Sequence, residues 1–168
     1  MKADLFWIPG PWRGRLAIAT RPRGGDWLDD EASAWRQADL DVIVSLLENE
    51  EAGQLDLLGE RQAAEDHALR FFSFPIPDRG VPASLQEAVS LLGRITAQLN
   101  AGKNVAVHCR QGIGRSGLIA AGALIASGRS PDEAMQIVSS ARGIAIPETT
   151  EQRRWTERLP SGLAVTRS

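Results

Sequence analysis

Apolar residues run along this chain in short blocks and in helical stripes, and the two periods alternate. Residues 16–20 read as a short strand, and residues 41–47 (Asp-Val-Ile-Val-Ser-Leu-Leu) as a compact apolar one. Residues 69–75 predict a third strand, stopped by Pro75 and Pro77 because proline cannot donate to a sheet ladder. Residues 104–108 form a fourth, and its apolar run does not alternate, as expected of a parallel strand covered on both faces. Between the strands lie helical stretches. Residues 26–38 predict an amphipathic helix with Trp27, Leu28 and Trp35 toward the core, and residues 53–68 a weakly patterned one. Ser84 and Glu87 form a capping box ahead of Leu85, Val89, Leu92, Ile95 and Leu99 at helical spacing, and Gly102 closes that helix. Residues 115–127 are almost wholly apolar, which predicts a central, buried helix. Ser130-Pro131-Asp132-Glu133 is a second capping box with proline at the first helical position. Pro147 opens a last helix through about residue 155, and residues 160–168 read as a frayed tail. Strands alternating with helices predict a single α/β domain over residues 1–168. It would have three layers, α/β/α, around a central, mostly parallel sheet of about four to five strands.

Composition changes this picture little. A chain of 168 residues supports one domain with a sizeable core. Hydrophobic residues at 43% and charged residues at 24% are ordinary for a globular chain. A net charge of −2 gives no global pull toward nucleic acid or an anionic membrane, so neither is expected as a partner. Arg13, Arg15, Arg21 and Arg23 cluster near the N-terminus, either as a solvated surface or as a docking patch. The longest small and apolar stretch, residues 117–126, falls short of the ~18 residues of a membrane span. Pro9 and Pro11 interrupt the brief apolar segment at the N-terminus, which argues against a signal peptide. A single cysteine permits no internal disulfide, and a reducing cytoplasm is the expected location.

That cysteine carries the candidate chemistry. In Val105-Ala106-Val107-His108-Cys109-Arg110-Gln111-Gly112-Ile113-Gly114-Arg115-Ser116 an apolar strand feeds a glycine-bearing turn at the mouth of an apolar helix. A turn before a helix N-terminus offers several backbone N–H donors to one anion, together with the positive end of the helix dipole. Arg110, Gln111, Gly112, Ile113 and Gly114 would form this cradle, and Arg115 can grip two oxygens of a phosphate with its planar fork. The same field lowers a thiol from ~8.5 toward ~3.5–7.5, which would make Cys109 a thiolate ready for in-line attack on phosphorus. Ser116 could donate its hydroxyl to the sulfur. The alternative for Cys109 is a buried, inert thiol. The leaving group needs a proton, and Asp78, in a Pro-Asp-Arg-Gly turn 31 residues earlier, could supply it and later act as base on water. Taken alone, that turn is simply a good turn.

The run from His108 to Gly117 resembles the phosphate loop of the cysteine-dependent protein tyrosine phosphatase superfamily, and Phe74-Pro75-Ile76-Pro77-Asp78 resembles its general-acid loop. Order and separation match as well. The short length is similar to the small dual-specificity branch, including kinase-associated phosphatases and their bacterial relatives. The resemblance covers residues 6–155. It implies a metal-free, cofactor-free hydrolase working through a phosphocysteine. Cys109 would be the nucleophile, Arg115 the phosphate binder, Asp78 the general acid and base, and Ser116 the hydrogen-bond partner of the thiolate. His108 would support the loop and the cysteine's pKa from behind, or be a satisfied core histidine. Gln152 resembles a glutamine that orients hydrolytic water, although a capping role with Thr149 is equally open. His67 reads as surface.

Departures bear on the substrate. Ile76 stands where longer family members carry a tryptophan, and no aromatic wall for phosphotyrosine is evident. Arg110 and Ile113 replace the two lysines that mark 3-phosphoinositide phosphatases, and Arg110 either greets an acidic substrate or is merely solvated. The expected function is a monomeric tyrosine or dual-specificity phosphatase acting on phosphorylated proteins or small phosphate esters. Alternatives are a phosphatase of phosphoinositides, inositol phosphates or nucleotides, a phosphopeptide-binding module without turnover, and, more distantly, a sulfur-transfer enzyme. A low-pKa thiolate would also be prone to sulfenic acid formation.

Overall fold

A computed structural model describes residues 2–167. In chain order the elements are β1 (Leu5–Ile8), β2 (Leu16–Ala19), α1 (Leu28–Gln37), β3 (Val42–Ser45), α2 (Asn49–Gln54), α3 (Glu60–Asp66) and β4 (Arg70–Ser73). They continue with α4 (Leu85–Asn100), β5 (Val105–His108), α5 (Gly114–Ala126), α6 (Pro131–Arg142) and α7 (Thr150–Arg167). The five strands form one sheet in the order β1-β2-β5-β3-β4. β1 runs antiparallel to β2, and the remaining pairings are parallel. β5 lies in the middle, with Val107 opposite both Ile18 and Val44, and His108 opposite Ser45. Every residue of β2, β3 and β5 is buried, which is why their apolar runs do not alternate. The C-terminal end of this central strand delivers Cys109.

Helices cover both faces. On one, α1 and α3 enclose Ala32, Trp35 and Ala64 against Ala17, Ile43 and Ala106 of the sheet. On the other, α4 to α7 pack the larger core around Leu92, Ile95, Leu118, Ile119 and Trp155. α5 is buried from Gly114 through Ile125, as its apolar composition requires. Its neighbours press close: a Cβ on Gly117 would stand 2.7 Å from the Ile146 side chain, which would have to shift to admit it. Local signals act as read. Ser130 and Glu133 close a reciprocal capping box on α6, and left-handed Gly143 (φ 77°) ends it. On α4, Ser84 accepts from the Glu87 amide, which is half of the expected box.

Four expectations need correction. Residues 53–68 are not one helix: α2 ends at Gln54 and α3 begins only at Glu60, with Asp56 in a left-handed backbone (φ 57°) between them. β1 adds an antiparallel edge strand that the proline-rich N-terminal segment did not betray. Trp27 is 51% exposed, capped by the Arg23 guanidinium 4.0 Å from its ring. Residues 160–167 continue α7 rather than forming an irregular tail; Pro160 lies inside the helix, with Leu159 buried and Leu163 packed against the core. The N-terminal arginines do not form one patch. Arg15 stacks on Trp7, Arg23 pairs with Glu31, and Arg21 donates to the Arg110 carbonyl. His67 reaches Asp29 at 2.7 Å, tying α3 to α1 at the surface. Among the described residues no helix is long and apolar enough to cross a membrane.

Candidate active site

The turn after β5 curls through Gly112 in the left-handed region (φ 70°), where a Cβ is costly. Its carbonyls face outward onto arginines. Arg142 donates from Nε to the Gly112 carbonyl at 2.8 Å and from Nη2 to the Gln111 carbonyl at 3.4 Å. Arg21 donates to the Arg110 carbonyl at 3.5 Å. A trans peptide sets C=O and the following N–H on opposite sides, so the amides of Gln111, Gly112 and Ile113 are directed away from these guanidinium groups. Arg142 is itself braced by Phe6, whose ring lies 4.2 Å from its guanidinium carbon.

Inside the turn is a small cavity of about 70 Å³, lined by Asp78, Arg79, Cys109, Gln111, Gly114, Arg115 and Glu148. The fold thus brings together the cysteine, the arginine and the loop acid picked out in sequence, although Cys109 and Asp78 come from loops following different strands. Cys109 is buried, with 3% of its surface exposed at the cavity floor. Of the expected cradle, Arg110, Gly112 and Ile113 do not line the cavity. The Arg110 side chain is half-exposed and lies 3.8 Å from Glu51.

Arg115 is held as a rigid fork. Nη1 donates to Glu51 Oε1 at 2.6 Å and to the Ile76 carbonyl at 2.9 Å; Nη2 donates to Glu51 Oε2 at 3.0 Å and to Asp78 Oδ1 at 3.2 Å. The bidentate hydrogen bonds from Arg115 hold the Glu51 carboxyl below its ordinary range, outweighing burial. Burial alone would weaken the charge of Arg115, but Glu51, Cys109 and Asp78 together raise its pKa further. Both shifts favour a charged pair.

Behind the cysteine, His108 Nε2 lies 2.5 Å from Glu60 Oε2, and its ring stacks on Trp35 at 6.0 Å. His108 Nδ1 and the Ser116 hydroxyl are buried without a hydrogen-bond partner among the described residues, so the expected bond from Ser116 to the sulfur is not formed here. Gln152 is fully buried. Its Oε1 accepts from the amides of Glu148 and Thr149, the Gln152 amide donates to Thr149 Oγ1, and Nε2 donates to the Gly80 carbonyl at 3.1 Å. The capping arrangement is present, and it ties the start of α7 to the loop that carries Asp78. Glu51, Glu60, Arg79, Arg142 and Glu148 escaped the sequence reading. Glu51 did have a local signal, since it closes a capping box with Glu48. Among the described residues no group of three or more His, Cys, Asp or Glu is arranged to hold a metal ion.

This combination of an anion cradle, a buried guanidinium and a cysteine beneath them suits capture of a phosphoryl group and attack on it from below. Residues 18–129 match the family described as polymorphic toxin system, DSP-PTPase phosphatase. No curated protein sequence matches the chain. Among solved structures, Tk-PTP in its active form is 30% identical over 94% of this chain and 96% of its own, with a TM-score of 0.76. Kinase associated phosphatase, with its catalytic-site cysteine replaced by serine, aligns at TM-score 0.88 over 98% of this chain and 97% of its own, at 17% identity. PTPMT1 in complex with PI(5)P aligns at TM-score 0.72 over 96% and 99% of the two chains, also at 17% identity. At that identity the last two speak for the fold: an α/β sheet of the tyrosine phosphatase type.

Proposed function

This chain belongs to the DSP-PTPase phosphatase family, and from that premise we propose how its own residues carry out phosphomonoester hydrolysis and on what. It is a cysteine-dependent hydrolase of the tyrosine and dual-specificity phosphatase type. Cys109 attacks phosphorus in line while the turn amides and Arg115 hold the equatorial oxygens. Asp78 protonates the departing oxygen and then takes a proton from the water that cleaves the phosphocysteine, returning the sulfur as thiolate. His108 braces the loop from behind, and Gln152 holds the acid loop in place. One observation carries the reading: Cys109, Arg115 and Asp78 line a single cavity.

The substrate is a phosphoprotein in the cytoplasm, phosphotyrosine with or without phosphoserine and phosphothreonine, and the chain acts as a monomer. A lipid headgroup is the second reading, supported by the PI(5)P bound to PTPMT1. Replacing Cys109 by Ser tests the mechanism. Release of phosphate from an aryl phosphate in chelator-treated buffer should fall to the uncatalysed rate, while orthovanadate still binds. Retained turnover would remove Cys109 from the reaction. Phosphopeptides assayed beside PI(5)P vesicles decide between the two substrates.

A further inference from the structure

Two carboxylates line the cavity above Cys109, and they are held differently. Asp78 sits on a loop, 59% exposed, with Oδ1 3.2 Å from Arg115 Nη2. Glu148 is 23% exposed and is held at its main chain and at one carboxylate oxygen. Its amide donates to Gln152 Oε1 at 3.1 Å. Its Oε1 accepts from Arg79 Nη1 at 2.5 Å. Its Oε2 lies against the phosphate loop, where a Cβ on Gly114 would stand 2.8 Å away. Gly114 has an ordinary helical backbone role, so the space its missing side chain leaves is filled by this carboxylate and by Gln152, 3.1 Å from the same point.

A phosphatase of this kind needs an acid in the first step and a base in the second. Where two carboxylates share a site in unlike surroundings, the roles can divide between them. Asp78 occupies the exposed rim, where the leaving group departs. Glu148 stays in place after departure, with one oxygen oriented by Arg79 and the other over the loop.

We propose that Glu148 is the general base that activates the water cleaving the phosphocysteine, leaving Asp78 to protonate the leaving group. The inference rests on the mechanism above and reassigns one step of it. In that step the water oxygen bonds to phosphorus and the P–S bond breaks. Its electron pair returns to Cys109 as thiolate, and the water proton passes to Glu148, which later releases it to solvent.

Rapid-quench kinetics with a radiolabelled aryl phosphate tests this. Glu148→Gln keeps an oxygen for Arg79 but loses basicity. The first equivalent of aryl alcohol should appear at the wild-type rate, steady-state turnover should fall about 10²-fold, and labelled phosphoenzyme should accumulate. Asp78→Asn should slow the first equivalent and accumulate none. Wild-type turnover in Glu148→Gln, or equal slowing of burst and steady state, overturns the assignment. So does Arg79→Met, if it accumulates phosphoenzyme as Glu148→Gln does, because the glutamate would then act only as a latch. Cys109→Ser run in parallel separates the outcomes: if it alone is inactive, the underlying mechanism stands whatever Glu148 does.

Discussion

Cys109 stands between two buried acid–base pairs, and their unlike surroundings explain why one can serve as an anchor and the other as an arm. His108 and Glu60 are sealed beneath the sheet, at 0% and 3% exposure, against Trp35. Arg115 and Glu51 are nearly as buried, yet Arg115 opens onto the cavity. Taking charges out of water is costly, and a pair offsets that cost when every hydrogen-bonding group is met. Around Arg115 this is nearly complete: Glu51 takes both terminal nitrogens, and the Ile76 carbonyl and, at 3.5 Å, the Leu46 carbonyl share Nη1. The remaining contact, from Nη2 to Asp78, is with a loop side chain that a phosphate can displace. The guanidinium therefore arrives pre-oriented, with one exchangeable partner. The histidine pair has no group on the cavity, and it meets the site from behind, through the residue that precedes the cysteine.

Removing the arm should have the largest effect. Arg115→Met loses the bidentate grip, and kcat/KM should drop by about 10³-fold. It also strands Glu51, which should cost about 3–5 kcal/mol of stability in denaturant titrations. The double variant Arg115→Met with Glu51→Gln separates the two losses. Stability should recover in good part, and turnover should not. Recovery of both would mean that Arg115 acts on catalysis merely by keeping the fold intact.

Glu51→Gln alone probes the pair with its geometry retained. A charged hydrogen bond becomes a neutral one, and stability at neutral pH should fall by about 1–3 kcal/mol. Turnover should fall by up to about 10²-fold as the guanidinium loses its fixed orientation. The pH dependence has a defined sign. The Glu51 carboxyl is held below its ordinary value of 4.5, so its contribution is complete above that value and is lost as pH falls through the lower folded-state value. Melting temperatures of wild type and variant should therefore differ most near neutrality and converge below pH 4.5. Parallel curves down to acid would remove Glu51 as the source of that stability.

These two acids also mark where the sequence stopped being legible. β2, β3, β5 and the helices α4 to α6 announce themselves, because buried parallel strands and capped amphipathic helices leave local patterns. The phosphate loop does so too, since its geometry is set by neighbours in the chain. Glu51 and Glu60 sit in short helices broken at Asp56, and acids in polar helices read as solvated faces. Their burial comes from contacts 64 and 48 residues away in the chain. Arg142 and Glu148 were missed for the same reason: their roles exist only once α6 and the start of α7 are packed beside the loop. The full length of α7 was hidden by Pro160, which interrupts a helix in isolation but is tolerated in a packed one.

The smallest effect is expected at the sealed pair, and it gives the sharpest test of the contrast. Glu60→Gln can keep the contact to His108 Nε2 through its amide oxygen, so the ring stays oriented against Trp35. An amide replaces a carboxyl group at a site with no access to the cavity. Stability should change by about 1 kcal/mol, and kcat/KM by no more than about threefold. The pH midpoint for alkylation of Cys109 by iodoacetamide should stay close to wild type, because the groups that face the sulfur, Arg115 and the turn amides, are untouched. A midpoint displaced by a full unit or more would show that the charge behind the sheet, not the arm before it, sets the thiolate, and the assignment of anchor and arm would have to be reversed.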